Sequence, residues 1–309
     1  MPIVELHQVT KAYDTKVAVE RLSLAVEPGS MFGLLGPNGS GKTSSIRMMI
    51  GITMPDSGGV RLFDQPFSRG NLHRVGYLPE ERGLYKKMKV LDQIVFLGQL
   101  HGLDAATATS RAYDWCERLE ITEAIGKKTE ELSKGMQQKI QFITTLLHEP
   151  ELIIMDEPFT GLDPVNSALL MDTLVELRSQ GRAILFSTHR MDQVEKLCDS
   201  ICLIHRGRAV LSGGMREIKS SYPANRVQMV FSGDDSFLRH PSIESVKNYS
   251  GMAEIKLCDG ADAQALLAEA VRCARITRFE VMEPTLEEIF IEKVTADSAE
   301  AVTGDRIHA

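Results

Sequence analysis

The stretch GLLGPNGSGKTSS, Gly33–Ser45, decides the fold. Inside it lies Gly36-x-x-x-x-Gly41-Lys42-Thr43, with Pro37, Asn38, Gly39 and Ser40 between the two glycines and Ser44 after the threonine. The apolar run MFGLLG (31–36) before it reads as a buried strand that includes Gly33, and Thr43 to Ile50 after it reads as a helix. Strand, glycine-rich turn and helix N-terminus in that order make a phosphate-binding loop. A triphosphate is a dense, hydrated anion, and holding it takes many inward-pointing backbone N–H groups. Glycines let the backbone wrap closely enough to supply them, and the helix adds the positive end of its dipole. Lys42 is then placed to neutralise the β- and γ-phosphates, and the Thr43 hydroxyl to ligate Mg²⁺.

The partner of such a loop is a carboxylate at the end of a neighbouring strand. ELIIMD (151–156) is an apolar run that delivers Asp156 and Glu157 at its carboxyl end. Asp156 is suited to hold Mg²⁺ through a water, and Glu157 to polarise an attacking water as general base. Adjacent carboxylates repel unless a cation lies between or beside them.

Around these motifs the pattern alternates between strand and helix. Residues 3–8, 17–27, 58–64, 74–78, 183–188 and 200–205 read as strands; the pattern is helical from about Leu91 to His148, with breaks at Gly102 and Gly126. Helices are expected over 171–181 and 191–199, which would put Cys198 and Cys202 near one helix face. Alternation of this kind predicts a mostly parallel α/β sheet. The texture changes at the polar linker SSYPAN (220–225). Beyond it, strands, one helix and a last helix opened by a Thr285/Glu288 capping box predict a small α+β domain. The expected organisation is a first domain over 1–218 with a helical part at about 85–150, an accessory domain over 222–295, and a disordered tail over 296–309.

Charge and composition exclude some classes of function. Net charge is −7, and Lys86, Lys87 and Lys89 form one short cluster that reads as a solvated loop face, so no nucleic-acid partner is expected. Five cysteines without a C-x-x-C pair suit a reducing cytosol and give no zinc or disulfide framework. The first residues lack the pattern of a signal peptide, and no run reaches the length of a membrane span.

The two phosphate-site motifs followed by DEPFTGLDP (156–164) resemble the nucleotide-binding subunit of an ATP-binding cassette transporter, over roughly residues 1–215. The resemblance implies a P-loop NTPase cassette: a mixed, mostly parallel sheet with an antiparallel β subdomain and a helical signature subdomain. It implies that Tyr13 stacks on adenine, that LSKGMQQ (132–138) is the signature acting in trans through Ser133, Lys134, Gly135 and Met136, that Asp163 lies in the loop exchanged across a dimer, and that His189 contacts the γ-phosphate. Two copies would enclose two ATP molecules with Mg²⁺, bound to a separate transmembrane permease on the inner face of the membrane. The family usually has glycine at Lys134, glutamine at Met136 and glutamine at Glu80, which follows GYLP (76–79). Lys134 would bring a positive charge to the partner-held nucleotide. Glu80 either ligates Mg²⁺ or turns into solvent. Together with GYLPEERGLY (76–85), the ending EPTLEEIFIEKV (283–294) resembles a bacterial exporter subgroup of sodium-extrusion and drug-export type. The alternatives are a soluble cassette ATPase, or a nucleotide-binding regulatory module without turnover.

Overall fold

A computed structural model describes residues 1–223 and 225–304, with side chains through Thr295. The chain divides into two compact units, Met1–Gly214 and Met215–Ala309. The division falls a few residues before the 218–222 boundary expected from the texture of the sequence.

In chain order, the first unit consists of β1 (Val4–Tyr13), β2 (Lys16–Val26), β3 (Met31–Leu35), α1 (Lys42–Met49), β4 (Ser57–Leu62), β5 (Gln65–Pro66), β6 (Val75–Leu78), α2 (Val90–Leu100), α3 (Ala105–Arg118), α4 (Lys134–Leu146), β7 (Leu152–Asp156), α5 (Pro164–Ser179), β8 (Ala183–Thr188), α6 (Met191–Leu197), β9 (Ser200–His205) and β10 (Arg208–Gly214). Two sheets result. An antiparallel sheet has the order β2-β1-β4-β5, and a six-stranded sheet has the order β10-β9-β3-β8-β7-β6. In the second, only the β9–β10 pair is antiparallel.

The parallel strands are apolar without alternation because both their faces are covered; every residue of β3, β7 and β8 is buried. Between the two sheets lies α1, whose Ile46, Met48 and Met49 enter one core with Val4, Leu6 and Leu22 of the antiparallel sheet and Leu34, Ile154 and Leu185 of the parallel one. The helix that follows the glycine loop is therefore clamped on two sides. Gly33 makes a further close approach possible: a Cβ there would lie 2.8 Å from Val194 Cγ1 and 3.0 Å from Cys198 Sγ, so α6 rests directly on β3.

Register is what brings chemistry together. Leu35 pairs with Thr188, Asp156 with Ser187, and Leu78 with Met155. The carboxyl ends of β3, β8, β7 and β6 thus lie side by side, and each opens into one of the segments singled out in the sequence. Ligands of open α/β sheets bind at that edge.

Some expectations need correction. α6 stops at Leu197, so Cys198 follows the helix and Cys202 sits in β9; both are buried, but on no common helix face. α5 begins at Pro164, seven residues before the expected start, because Asp163 caps it and Pro164 opens it. The strands β5 and β10 were not anticipated.

The second unit contains α7 (Met215–Ser220), β11 (Arg226–Gly233), β12 (Ile243–Tyr249), β13 (Met252–Leu257), α8 (Ala263–Cys273), β14 (Ala274–Met282) and α9 (Leu286–Gly304). Its antiparallel sheet has the order β12-β13-β11-β14, and Leu266 and Ala270 of α8 pack with Val227, Met229, Phe231 and Ile255. At the start of α9 the Thr285 hydroxyl accepts from Glu288 N at 3.3 Å, and Glu288 Oε2 accepts from Thr285 N at 3.0 Å. The backbone of α9 continues to Gly304, where disorder was expected from residue 296; residues 305–309 lie outside the described residues.

Gly76 of β6 touches α4, since a Cβ there would lie 2.4 Å from Thr145 O and 2.9 Å from Pro150 Cγ. Gly76→Ala should destabilise the first unit by about 1–3 kcal/mol through overpacking, read from its unfolding midpoint in urea. A loss below about 0.5 kcal/mol would show that α4 yields at this contact.

Candidate functional site

The glycine loop closes over the end of β3. Gly36, at φ +148°, and Gly41, at φ +116°, adopt backbone conformations that favour glycine. Close approach also demands it: a Cβ on Gly36 would lie 2.2 Å from Ile204 O, and one on Gly41 2.5 Å from Ala18 O. Gly39, at φ +76°, faces open space. The loop is braced from behind. Gly207 N–H, in the β9–β10 turn, donates to Ser40 O at 2.9 Å, and Glu20 N–H donates to Gly207 O at 2.8 Å.

A pocket of about 500 Å³ lies in front of the loop. Asn38, Gly39, Gly41, Lys42, Thr43 and Ser44 line one side, Asp156, Glu157 and Glu80 another, and Tyr13, Lys16 and Ala18 the rim. Strands distant in sequence thus bring together most of the residues expected to meet. Tyr13, at the end of β1, is 40% exposed, which leaves its ring available to a flat ligand. Glu80 is exposed and is among the residues that line the pocket.

Lys42 is buried, and its Nζ donates to Gly36 O at 2.7 Å and Pro37 O at 3.2 Å. Burial pushes its pKa below the ordinary value; Glu157, Asp156 and Glu80 oppose the shift by favouring the ammonium. The same carboxylate edge acts on Tyr77, whose pKa is pushed up to about 12, first by burial and then by Asp156.

The two carboxylates after β7 are held differently. Asp156 is 1% exposed; one oxygen accepts a hydrogen bond from Ser187 Oγ, while Oδ2 is buried with no hydrogen-bond partner. A buried lone oxygen beside a second carboxylate suits a divalent cation. Among the described residues no group of three or more His, Cys, Asp or Glu forms a complete protein cage. Glu157 sits at φ +51°. A non-glycine residue there carries strain of about 1–3 kcal/mol. Surrounding bonds hold it: Glu157 N–H donates to Ser187 O at 3.1 Å, Oε2 accepts from Thr188 Oγ1 at 3.2 Å, and Oε1 accepts from His189 N at 3.1 Å and pairs with His189 Nδ1 at 2.9 Å.

His189 does not line the pocket; its half-exposed ring turns to Glu157. Nor do Gly36, Pro37 and Ser40, which form the loop's frame. The segment 132–138 and Asp163 also lie outside it. The Ser133 hydroxyl caps α4, accepting from Met136 N at 3.2 Å, and Lys134 is exposed. The Asp163 carboxylate caps α5, accepting from Asn166 N at 2.9 Å, which holds its pKa below the ordinary value. Sequence reasoning missed Lys16 at the rim and Ser187 and Thr188, which grip the two carboxylates. The last two carried a signal: they are the polar residues ending the otherwise apolar run AILFST (183–188).

Comparison with known proteins yields two family matches: the ABC transporter model over residues 19–160, and the C-terminal domain of DrrA1-3-like ATP-binding proteins over residues 213–294. An uncharacterized ABC transporter ATP-binding protein of Bacillus subtilis, YhaQ, is 43% identical over 94% of this chain and 98% of its own length. The Nod factor export ATP-binding protein I of Paraburkholderia xenovorans is 33% identical over 93% of this chain and 95% of its own. A solved ATP-binding subunit of an ABC transporter superposes with a TM-score of 0.66 at 28% identity, covering 71% of this chain and 92% of that one.

Gly36→Ala tests the loop geometry. The added methyl collides with the β9 backbone, so binding of a fluorescent ATP analogue should weaken at least tenfold. Retention of wild-type affinity would mean that the loop need not hold this conformation to bind.

Proposed function

The chain belongs to the ATP-binding proteins of ABC transporters, and from that premise we propose that it is the ATPase subunit of an exporter, working as a pair of identical cassettes on a separate transmembrane permease. Members of this family bind ATP and are ATPases. Export is supported by the similarity to a Nod factor export ATP-binding protein along nearly the whole chain, and by the DrrA-like C-terminal domain. The observation that carries the reading is the single pocket where Lys42, Thr43, Asp156, Glu157 and Glu80 converge.

In this reading Tyr13 stacks on adenine, and Asn38 to Ser44 wrap the phosphates with backbone N–H groups. Lys42 leaves the carbonyls of Gly36 and Pro37 for the phosphate oxygens. Thr43, Asp156 and Glu80 would hold Mg²⁺, which would supply positive charge to neutralise the phosphates. Glu157 accepts the proton of the attacking water as general base. His189, already paired with Glu157, is oriented at that carboxylate and turns to the γ-phosphate in the closed dimer.

The signature at Ser133–Met136 acts on the nucleotide held by the second copy, which accounts for its place outside its own pocket. Asp163 lies at the same dimer face. The permease docks on the region 79–100, where Tyr85, Phe96 and Leu100 expose apolar surface and the first two rings pack edge to face at 6.1 Å. No described helix is long and apolar enough to cross a membrane, so the chain would sit on the inner face of the membrane through that partner.

Glu157→Gln should lower phosphate release at least a hundredfold while ATP binding persists. If it keeps more than a tenth of wild-type turnover, Glu157 is not the base. In the same background ATP should drive dimerisation, and Lys134→Ala should raise the ATP concentration needed by several-fold, measured by light scattering after size exclusion. An unchanged midpoint would remove Lys134 from the composite site.

A further inference from the structure

We propose that Gln141 is a positioning residue for Glu80, holding the backbone on both sides of that carboxylate at the mouth of the phosphate pocket. The proposal rests on the reading that Glu80 acts on Mg²⁺. β6 ends at Leu78, and regular structure resumes only at Val90, so the segment carrying Glu80 has no ladder or helix of its own. Its carbonyls still need donors. Gln141 supplies them from across the fold: Nε2 donates to Pro79 O at 2.9 Å and to Glu81 O at 3.3 Å, the residues immediately before and after Glu80.

Gln141 is only 4% exposed, and its Oε1 is buried without a partner. An amide at that depth is unfavourable unless its bonds are made. A position serving only packing would be better filled by an apolar side chain, so the two donated bonds are what the amide contributes. Its neighbourhood is similarly tied. The Thr145 hydroxyl, one turn on, donates to Gln141 O at 2.9 Å and lies 3.4 Å from Tyr77 O. Gln138, three residues back on the same face of α4, donates from Nε2 to Pro158 O at 2.9 Å, the residue after Glu157. One helix, which begins at Ser133, therefore sets the position of both carboxylate-bearing segments.

The test uses the full chain and trinitrophenyl-ATP fluorescence, titrating Mg²⁺ without following turnover. Gln141→Leu removes both donors at nearly constant volume; Gln141→Met, unbranched and of similar length, replaces it if the first variant fails to fold. Either should raise the Mg²⁺ midpoint three- to tenfold while changing metal-free nucleotide affinity less than twofold. Glu80→Ala should raise the midpoint too, and adding Gln141→Leu to it should then shift it less than 1.5-fold, because the residues act as one unit. A full-sized Gln141 shift in the Glu80→Ala background would show general loosening and overturn the proposal. Gln141 variants without a shift, beside a shifted Glu80→Ala, overturn the positioning role and leave the Glu80 reading standing. An unshifted Glu80→Ala sinks that reading and the proposal with it.

Discussion

The site depends on the register of the parallel strands. Because Leu35 lies opposite Thr188, Asp156 opposite Ser187 and Leu78 opposite Met155, strand ends separated by up to 153 positions in sequence open at one edge. Side chains alternate along a strand, so a slip of one residue would exchange faces and send Asp156 away from the glycine loop. The register is fixed by packing on both faces: a slip would force Ile153, Ile154, Leu185 and Phe186, all fully buried, out of their present packing. The same hydrophobic packing that stabilises the sheet therefore sets the relative positions of the charged groups.

Charge explains what those groups need. Three carboxylates and two lysines line the pocket, and one lysine, Lys42, is itself buried. A polyphosphate entering alone would meet the carboxylates of Asp156, Glu157 and Glu80. Repulsion of that kind is relieved by a cation among the oxygens, and the unpartnered Oδ2 of Asp156 offers it a place. The hydrogen bonds from Ser187, Thr188 and His189 occupy the other oxygens of Asp156 and Glu157, which leaves those two carboxylates little freedom of orientation.

What the sequence made legible follows local rules. The glycine loop, the apolar runs of β3, β7 and β8, and the Thr285/Glu288 cap are each readable within a dozen residues. β12 was not, because it is an edge strand exposed along almost its whole length and lacks alternation. β10 was missed for the same reason: none of its residues is fully buried. At the site, Glu157, Asp156 and Lys42 could be named from spacing, but their supports could not. Gln141 lies 62 positions from Pro79, and Gly207 braces Ser40 from the far side of the chain, so neither bond has a local signature. The Asp163-Pro164 start of α5 was readable as a cap and first turn, yet the segment was read for its role in a dimer.

The departures from the family pattern make physical sense together. Replacing a neutral glutamine by Glu80 adds one negative charge beside the phosphates of the chain's own pocket. Replacing a glycine by Lys134 adds one positive charge to the segment proposed to face the partner's pocket. In the proposed pair of identical cassettes each composite site would receive both changes, one from each chain, so the added charges would offset one another only when the dimer is closed. Closure in that arrangement would gain Coulomb energy that a site with glutamine and glycine lacks, and salt would screen the gain because Lys134 is exposed. On that reading the paired departures would add to the stabilisation gained when two cassettes join.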